Sequence, residues 1–581
     1  MRNWRRKFTG WLLGAPLALA FFGCSGGEAD WKIRLDPGET LLRADLPPPA
    51  ARSSGALSQS LRRVPERFDL GAARALRRDG RPGAPALPPP GFPNTVVELS
   101  LDPSARTLQG VAVIEVTATD AAVSSLSFHL SAAGIDAVEA QNPAATYAYA
   151  DEILTVTPAA PIAPGASWSV TVRWHDRDVE REVDFTPEGG GVVLANRLGL
   201  PSTFFTYGYH FWPRPRGVPD IKNIEFRVTH PKDLELIMSG DFVSRQDGAA
   251  ATTVWWVEKP VRWNIVLALA SYQSAQTQCG SASLRVAAMP GVSIDGYPIA
   301  PGTYAPIHKK LCDEYVARFG PPVFSSIVVA GVDERFTSGY STPGLILAPN
   351  YSFDDDGSGS FAERDFFLGH ELSHQWWGND VFYGAMRDIW LIEGMADYVT
   401  MKALAALYGA ADIQNLWRWE VRPLLDWWAS GGADHPLVPG APIDMEPRIY
   451  YIKGAWVLRM LEGVLGETAM RTLLRAIREG HAFAAVTTEE FAAAAQAQAN
   501  EDIGWFFEQW AYGTGWLALG ETHAIQGRQA AVTVTQSKPW SADPVRYFET
   551  PLLIRAQKGK AVADKTVTLE GETQDFVVDL P

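Results

Sequence analysis

Short runs of apolar and β-branched residues dominate the first half of the chain. The run at 97–101 alternates apolar and polar residues one by one, as a strand with one buried face does. Comparable runs, separated by Pro, Gly and Asp, follow at 111–116, 168–172, 224–228, 254–257 and 264–269. Successive strand patterns of this kind favour antiparallel pairing. We therefore predict one antiparallel β domain of sandwich type over residues 92–272.

The spacing of the apolar residues becomes helical after Tyr304, which marks a second domain at 273–519. Its first helix is predicted to end at Gly320, which two prolines follow. A later helix is predicted to end at Gly409. The predicted elements are a helix at 304–319, buried strands at 327–330 and 344–348, helices at 361–377 and 388–408, and a mostly helical stretch at 446–516.

Both ends of the chain differ from these domains. Short β-rich runs at 531–534 and 567–569 predict a small β-sandwich at 520–581. Residues 24–91 are rich in Pro, Ala, Gly and Arg and show little apolar periodicity, which predicts a flexible, disordered tether. An ordered arm packed along the first domain is the alternative. The whole is predicted to be a multidomain α+β protein.

Residues 1–23 have the features of an export signal. A basic stretch through Lys7 precedes an apolar run at 10–23, which is too short to span a membrane. The run ends in Phe-Phe-Gly-Cys, which resembles the lipobox of bacterial lipoproteins although Phe21 replaces the usual leucine. The resemblance implies lipid attachment at Cys24 and a protein held at a membrane surface of the cell envelope. An ordinary secretory signal is the alternative, and either one predicts export.

Composition narrows the classes of function. A chain of 581 residues predicts two to four domains. Its formal net charge of −15 argues against a nucleic-acid partner, because that affinity depends on basic surface. Besides Cys24 the chain has only Cys279 and Cys312. These two are predicted either to pair in an oxidising compartment or to be buried thiols, since their spacing leaves both open.

The candidate chemistry lies in His370-Glu371-Leu372-Ser373-His374, followed nineteen residues later by Glu393. On a helix, His370 and His374 project from one face and can reach one cation. A carboxylate from a second helix completes a set of three ligands and leaves one position for water, as catalytic zinc requires. Glu371 is then placed to take a proton from that water. The alternative is a polar helix face with two hydrogen-bonded histidines.

Residues 370–379 read His-Glu-Leu-Ser-His-Gln-Trp-Trp-Gly-Asn, and eighteen residues separate His374 from Glu393. This pattern resembles the gluzincin zinc aminopeptidase family, which includes membrane alanyl aminopeptidase and leukotriene hydrolase. Tyr-Ile-Lys-Gly at 451–454 and Phe-Phe-Glu-Gln-Trp at 506–510 extend the resemblance, which covers roughly residues 92–575. It implies a saddle-like N-terminal β domain, a thermolysin-like catalytic domain and a small C-terminal β-sandwich.

The resemblance also implies roles for single residues. The ligands of one Zn²⁺ per chain would be His370, His374 and Glu393. Glu371 would be the general base, and Tyr451 would donate a hydrogen bond to the tetrahedral oxyanion; the alternative for Tyr451 is a core aromatic.

Asp397 lies one helical turn after the glutamate ligand. It is predicted to orient a zinc-bound imidazole. A solvated aspartate on the helix surface is the alternative.

One segment departs from the family. Members carry Gly-x-Met-Glu-Asn on a strand before the zinc helix, and its glutamate binds the α-amine of the substrate. Here residues 338–342 read Ser-Gly-Tyr-Ser-Thr, so Ser341 stands at the place of that glutamate. The backbone at Gly339 and Tyr340 is still predicted to pair with a peptide as an added strand. Glu334 is a candidate to supply the missing charge.

The sequence therefore predicts a zinc metallopeptidase that acts on peptides, with aminopeptidase activity as the leading interpretation. An endopeptidase, or a peptidase for blocked amino termini, is the second interpretation because of Ser341. A non-catalytic binding protein of the cell envelope is the third, although Glu371 and Tyr451 together argue against it.

Overall fold

The computed structural model describes residues 31–36, 91–184, 192–218, 221–262, 265–336, 338–355, 363–441, 443, 445–538, 541–542 and 545–581. The predicted export signal, Cys24 and most of the predicted tether lie outside these residues. None of the helices within the described residues has the length and apolar character needed to span a membrane.

The first domain is a β structure of three sheets, and its strand pairs are antiparallel except for the two strands Thr95–Asp102 and Ile224–His230, which run parallel. Its strands are β2 (Thr95–Asp102), β3 (Thr107–Thr117), β4 (Leu126–His129), β5 (Gly134–Ala140), β6 (Ala145–Ala150), β7 (Ile153–Pro158), β8 (Ser167–Arg177), β9 (Glu180–Asp184), β10 (Val192–Arg197), β11 (Ser202–Phe205), β12 (Arg214–Pro215), β13 (Ile224–His230), β14 (Glu235–Met238), β15 (Asp241–Asp247), β16 (Ala251–Val257) and β17 (Leu267–Ala270). A 3-10 turn lies at Gly208–His210.

The largest of the three sheets has seven strands in the order β15-β16-β13-β2-β3-β8-β5. The second has the order β14-β17-β11-β10-β9, and the third has the order β12-β4-β7-β6. Burial alternates along β2 and β3, so one face of the large sheet packs on the core and the other meets solvent. This alternation is what the sequence pattern at 97–101 predicts.

A five-stranded sheet joins the first domain to the helical one. Its strands are β18 (Gln273–Cys279), β19 (Ala282–Ala288), β20 (Ser326–Val332), β21 (Tyr340–Thr342) and β22 (Leu345–Pro349), in the order β18-β19-β20-β22-β21. The three central strands are parallel, and the two outer strands pair antiparallel.

Both faces of this sheet are covered. Ile327 and Val329 on β20 belong to the core of the helical domain, whereas Val328 and Ala330 belong to the core of the β domain. A strand buried on both faces needs an unbroken apolar run, which explains the pattern that predicts a strand at 327–330.

The helical domain lies on one side of the shared sheet, and its first two helices contact the sheet directly. The helices of this domain are α1 (Pro301–Phe319), α2 (Glu363–Ser373), α3 (Glu393–Tyr408), α4 (Ala410–Ala429), α5 (Gly454–Leu465), α6 (Glu467–Gly480), α7 (Thr488–Gln496) and α8 (Gly504–Trp510). Shorter elements are 3-10 helices at Asn350–Phe353 and Met386–Leu391, a π-helical turn at Ile449–Lys453, and strands β23 (Val381–Tyr383) and β24 (Ala484–Val486).

Two predicted helices are shorter than the sequence pattern suggests. The helix predicted at 361–377 ends at Ser373, because the backbone then turns and Gly378 adopts a φ of 124° to bond Val381. The helix predicted at 388–408 begins at Glu393, because Met386–Leu391 forms a tighter 3-10 helix. Helix α4 is absent from the sequence-based prediction.

The last domain packs two three-stranded sheets around one core and has a separate two-stranded sheet. Its strands are β25 (Leu519–Gln526), β26 (Gln529–Gln536), β27 (Ser541–Ala542), β28 (Val545–Arg546), β29 (Thr550–Lys558), β30 (Ala561–Leu569) and β31 (Thr573–Asp579). One sheet has the order β25-β26-β31, and β29 and β30 belong to the other.

A strand from the predicted tether completes the second of these sheets. Strand β1 (Lys32–Asp36) pairs antiparallel with β29, and Ile33 is buried in the core of this domain. The prediction of a disordered tether is therefore wrong at residues 32–36. The alternative, an arm along the first domain, is not what this strand forms either. The alternation of Lys-Ile-Arg-Leu-Asp is itself a strand signal that the surrounding Pro-rich composition obscures.

Cys279 at the end of β18 and Cys312 in α1 are joined in a disulfide, with a Cα–Cα distance of 5.4 Å. Both residues are buried. Of the two alternatives left open by the sequence, pairing is the one that the structure has, and it fastens α1 to the edge of the shared sheet.

Candidate metal centre

Two imidazoles, that of His370 on α2 and that of His374 directly after the last residue of α2, face the same point. The rings of His370 and His374 are perpendicular, and their Nε2 atoms lie 3.0 Å apart. His370 Nδ1 lies 2.7 Å from Asp397 Oδ1, and His374 Nδ1 lies 2.7 Å from the carbonyl oxygen of Trp377. Because both of these partners accept hydrogen bonds, they favour the tautomer in which each Nε2 offers its lone pair to a cation.

Glu393, the first residue of α3, brings a carboxylate to the same point. Its Oε2 lies 3.5 Å from His370 Nε2 and 3.4 Å from His374 Nε2. The three ligand atoms lie within 4.8 Å of one another, and no other group of this kind occurs in the described part of the chain. Two imidazole nitrogens and one carboxylate oxygen are the donor set of catalytic zinc sites.

The state of Glu393 tests whether a metal ion fits. Its Oε2 is buried and has no hydrogen-bond partner among the described residues. Burial opposes its charge, but His374 and His370 outweigh burial and lower the pKa of Glu393 to about 2. A buried carboxylate oxygen that accepts no hydrogen bond has unsatisfied lone pairs, which a bound cation would engage. The arrangement therefore fits a bound Zn²⁺.

Asp397 is fully buried, so it is not the solvated helix residue of the alternative interpretation. Burial opposes the charge of His370, but the hydrogen bond to Asp397 and the carboxylates of Glu393 and Glu371 raise the pKa of His370 to about 10. In the metal-free protein both ring nitrogens of His370 therefore carry a proton, and a bound metal ion would displace the proton on Nε2.

A contact between two glycines sets the distance between α3 and α5. A Cβ added to Gly394 would lie 2.8 Å from the carbonyl carbon of Gly454 and 2.9 Å from the carbonyl oxygen of Tyr450. Only glycine allows the two backbones to approach this closely. The contact brings Glu393, at the start of α3, beside the turn that carries Tyr451.

Tyr451 lies in the π-helical turn Ile449–Lys453, an irregularity frequently found at functional sites. Its ring centroid is 5.7 Å from that of His370. The ring of the neighbouring Tyr450 is tilted by 36° against that of Tyr451, with centroids 5.0 Å apart, and the backbone of Tyr450 lies against Gly394. The structure thus places Tyr451 against a metal ligand.

Glu371 is almost completely buried between the ligands and the outermost strand of the shared sheet. Burial raises its pKa, although the charges of His370 and His374 act in the opposite direction. A Cβ on Gly339 would lie 2.1 Å from Glu371 Oε1, so the backbone just before β21 passes directly over this carboxylate. A side chain at position 339 would displace the carboxylate.

Ser341 on the outermost strand β21 is hydrogen-bonded to the segment that follows α2. Its Oγ accepts hydrogen bonds from Gln375 Nε2 at 2.8 Å and from Asn379 Nδ2 at 3.3 Å. Gln375 also bonds the backbone of Thr342 and Gly344, which fixes the turn after β21. Sequence reasoning gave Gln375 and Asn379 no role, although both belong to the quoted segment 370–379.

Two other candidates from the sequence lie elsewhere. Glu334 Oε1 accepts a hydrogen bond from the amide of Ile294 at 3.3 Å, so it lies against the loop before α1. Cys24 is outside the described residues.

The two-histidine, one-glutamate site on this fold defines the class of gluzincin zinc metallopeptidase domains. Residues 356–510 match the peptidase family M1 domain. Aminopeptidase M1 of Arabidopsis thaliana is 30% identical over 155 residues, which are 25% of this chain and 17% of that protein. The match thus spans less than a fifth of the length of this curated relative.

Solved structures extend the likeness to the fold. The crystal structure of M1 zinc metallopeptidase from Deinococcus radiodurans has a TM-score of 0.58 and 20% identity, and the match covers 74% of this chain and 94% of that one. A mutant of that peptidase bound to a Tyr-Ser-Ala substrate has a TM-score of 0.57, with 20% identity and coverage of 74% and 95%. At this identity the likeness shows the fold, and the expectation of a multidomain α+β protein is confirmed.

Proposed function

We propose that this protein is a zinc-dependent metallopeptidase that hydrolyses peptide bonds. The observation that carries the proposal is the convergence of His370, His374 and Glu393 on one point, where a buried Glu393 oxygen accepts no hydrogen bond from the described residues. Glu371 and Tyr451 flank that point, and a protein that only bound metal would need neither.

When bound, zinc supplies a Lewis acid that polarises a carbonyl and lowers the pKa of water. Glu371 takes a proton from the attacking water and returns it to the leaving amine. Its burial beside Gly339 supports this role, because a raised carboxyl pKa makes the carboxylate a stronger base toward the attacking water. Tyr451 donates a hydrogen bond to the scissile carbonyl oxygen as that oxygen becomes negative, which is typically worth about 3 kcal/mol.

Strand β21 is the surface on which a peptide substrate would lie. It is the outermost strand of the shared sheet and passes over Glu371, so a peptide added along it would meet the metal site. The Arabidopsis thaliana relative is named an aminopeptidase, and the Deinococcus radiodurans peptidase is described with a tripeptide substrate. Peptides with a free amino end are therefore one substrate class to test, together with peptides that are blocked or extended at that end.

The test combines metal content with turnover. Purified protein should bind one zinc per chain and cleave peptides, and a chelator should abolish cleavage. Glu371→Gln should keep zinc but lose turnover by several orders of magnitude, because the amide cannot carry the proton. Glu479→Gln, an exposed change on α6, is the matched control and should behave as wild type.

Three results would contradict the proposal. Cleavage that survives complete removal of the metal would exclude the mechanism, and full activity of Glu371→Gln would exclude the assigned base. Zinc binding without turnover of any peptide would favour the non-catalytic binding protein.

Export and lipid attachment at Cys24 complete the proposal, and the sequence of residues 1–24 supports them. In a bacterial host, wild type should incorporate labelled fatty acid and sediment with membranes. Cys24→Ala should do neither. Equal labelling of the two proteins would contradict attachment at this cysteine.

A further inference from the structure

We propose that the subsite at Ser341 binds an amide carbonyl of the substrate and not a free α-ammonium group. The preferred substrates are then peptides whose residue before the scissile bond is acylated at nitrogen, either by a blocking group or by a preceding residue. This inference rests on the proposed peptidase function and specifies its substrate class.

The orientation of Gln375 fixes the direction of its hydrogen bonds. Gln375 Oε1 lies 3.0 Å from the amide nitrogen of Gly344, which can only donate. Its other terminal atom lies 2.9 Å from the carbonyl oxygen of Thr342, which can only accept. That atom is therefore the NH₂ group, and it must donate to Ser341 Oγ at 2.8 Å.

A second amide uses the remaining acceptor capacity of Ser341. Asn379 Nδ2 donates to the same Oγ at 3.3 Å. A hydroxyl oxygen has two lone pairs and one proton. With both lone pairs engaged by Gln375 and Asn379, the hydroxyl can offer only its proton to a substrate. A substrate ammonium has only donors, whereas a carbonyl oxygen accepts.

Charge points to the same conclusion. An ammonium that is half removed from water requires a nearby anion, and Ser341 supplies none. Glu393 and Asp397 are committed to the metal site, and Glu371 is the proposed base. Glu334 faces the loop before α1. Both partners of Ser341 are neutral amides, so among the described residues this subsite has no countercharge of the kind that a free amino end needs.

The position of Ser341 on the strand shows how far the proposed carbonyl subsite lies from Glu371, the proposed base. Gly339 and Ser341 lie two residues apart, so they face the same side of the strand, toward the zinc helix. Gly339 meets Glu371, and Ser341 meets the end of the same helix. The group bound at Ser341 is therefore displaced from the proton-transfer site along the substrate by up to about two residue lengths, which a substituent on the amino nitrogen can reach.

The experiment compares three peptides with the same scissile bond: one with a free amino end, one acetylated there, and one extended by two residues. The zinc-loaded wild type should cleave the acetylated and the extended peptides with a kcat/KM at least about tenfold higher than the free peptide. Comparing kcat/KM for the acetylated peptide with kcat/KM for the extended peptide shows whether the preferred carbonyl comes from a blocking group or from a preceding residue. A higher kcat/KM for the free peptide would overturn the inference while leaving the peptidase function intact. No cleavage of any peptide by the loaded enzyme would instead refute the function.

Two variants test the residue itself. Ser341→Ala removes the donor and should lower kcat/KM for the acylated peptides about fivefold without raising it for the free peptide. Ser341→Glu adds the missing charge and should reverse the preference in favour of the free peptide. An unchanged preference in Ser341→Ala would overturn the inference even if Ser341→Glu failed to fold. Zinc content and thermal midpoint are measured for both variants.

Discussion

The contact between Gly394 and Gly454 predicts an asymmetry between two apparently equal substitutions. A Cβ on Gly394 would meet three backbone atoms of the opposite turn at 2.8 to 2.9 Å. Carbon atoms at ordinary contact are about 3.5 Å apart, so Gly394→Ala must separate the two helices by roughly 0.7 Å. Backbone atoms cannot move aside by changing rotamer. The backbone displacement therefore moves Glu393 and Tyr451, which are the residues next to this contact in the two chain segments.

Gly394→Ala should thus lower kcat/KM by about 10²-fold, since misplacing a catalytic group by an ångström has that order of effect. Overpacking should also cost about 1–3 kcal/mol of folding free energy. In Gly454→Ala the new Cβ would meet its nearest neighbour, the Cα of Gly394, at 3.3 Å. That variant is the matched control, and it should lose less activity and less stability.

The assay measures kcat/KM on one peptide, zinc content and urea unfolding for both variants. Normal activity in Gly394→Ala, or a larger loss in Gly454→Ala, would refute the argument that this contact sets the spacing of the site.

Three further predictions concern single groups. Asp397→Asn should weaken zinc binding about 10–100-fold in competition with a chelator, because the carboxylate holds His370 in its ligating orientation; unchanged affinity would contradict that role. Burial lowers the pKa of His308 to about 4, so the folded protein resists a proton that the unfolded chain takes up below pH 6.5. The stability that neutral His308 contributes is fully present above pH 6.5 and is lost as the pH falls toward 4. The free energy of unfolding of wild type should therefore fall by about 2–3 kcal/mol more than that of His308→Gln between pH 7 and 4.5. Equal losses in urea unfolding would contradict this. Replacing Cys279 and Cys312 by alanine should destabilise the protein by about 4 kcal/mol, given their separation of 33 residues, and equal unfolding midpoints with and without reductant would argue against the disulfide.

The sequence was most informative where the relevant geometry is local. His370 and His374 are four residues apart, so any helix through them brings both imidazoles to one face. The alternation at 97–101 and the apolar run at 327–330 likewise specify strands without knowledge of the neighbours. The elements that carry the metal ligands were predictable for this reason.

The sequence was least informative where distant segments override local preference. Residues 374–377 continue a helical pattern, yet the backbone leaves the helix to bond with the strand that follows. Lys32–Asp36 lies in a Pro-rich region but becomes a strand because β29, more than five hundred residues later, offers it an edge. Such pairings depend on what the rest of the chain places nearby, which no local window contains.

The amino-acid sequence alone indicates the proposed class of the domain and the three proposed metal ligands, because helical geometry sets the spacing of the two histidines and the resemblance to a known family adds Glu393. Only the tertiary structure decided which groups surround them: the burial of Asp397, the close approach of α3 and α5, and the pairing of Cys279 with Cys312. It also decided the direction of the hydrogen bonds at Ser341. The physical reason is that burial, close approach and the sharing of donors and acceptors arise between residues far apart in the chain, and exist only once the chain is folded.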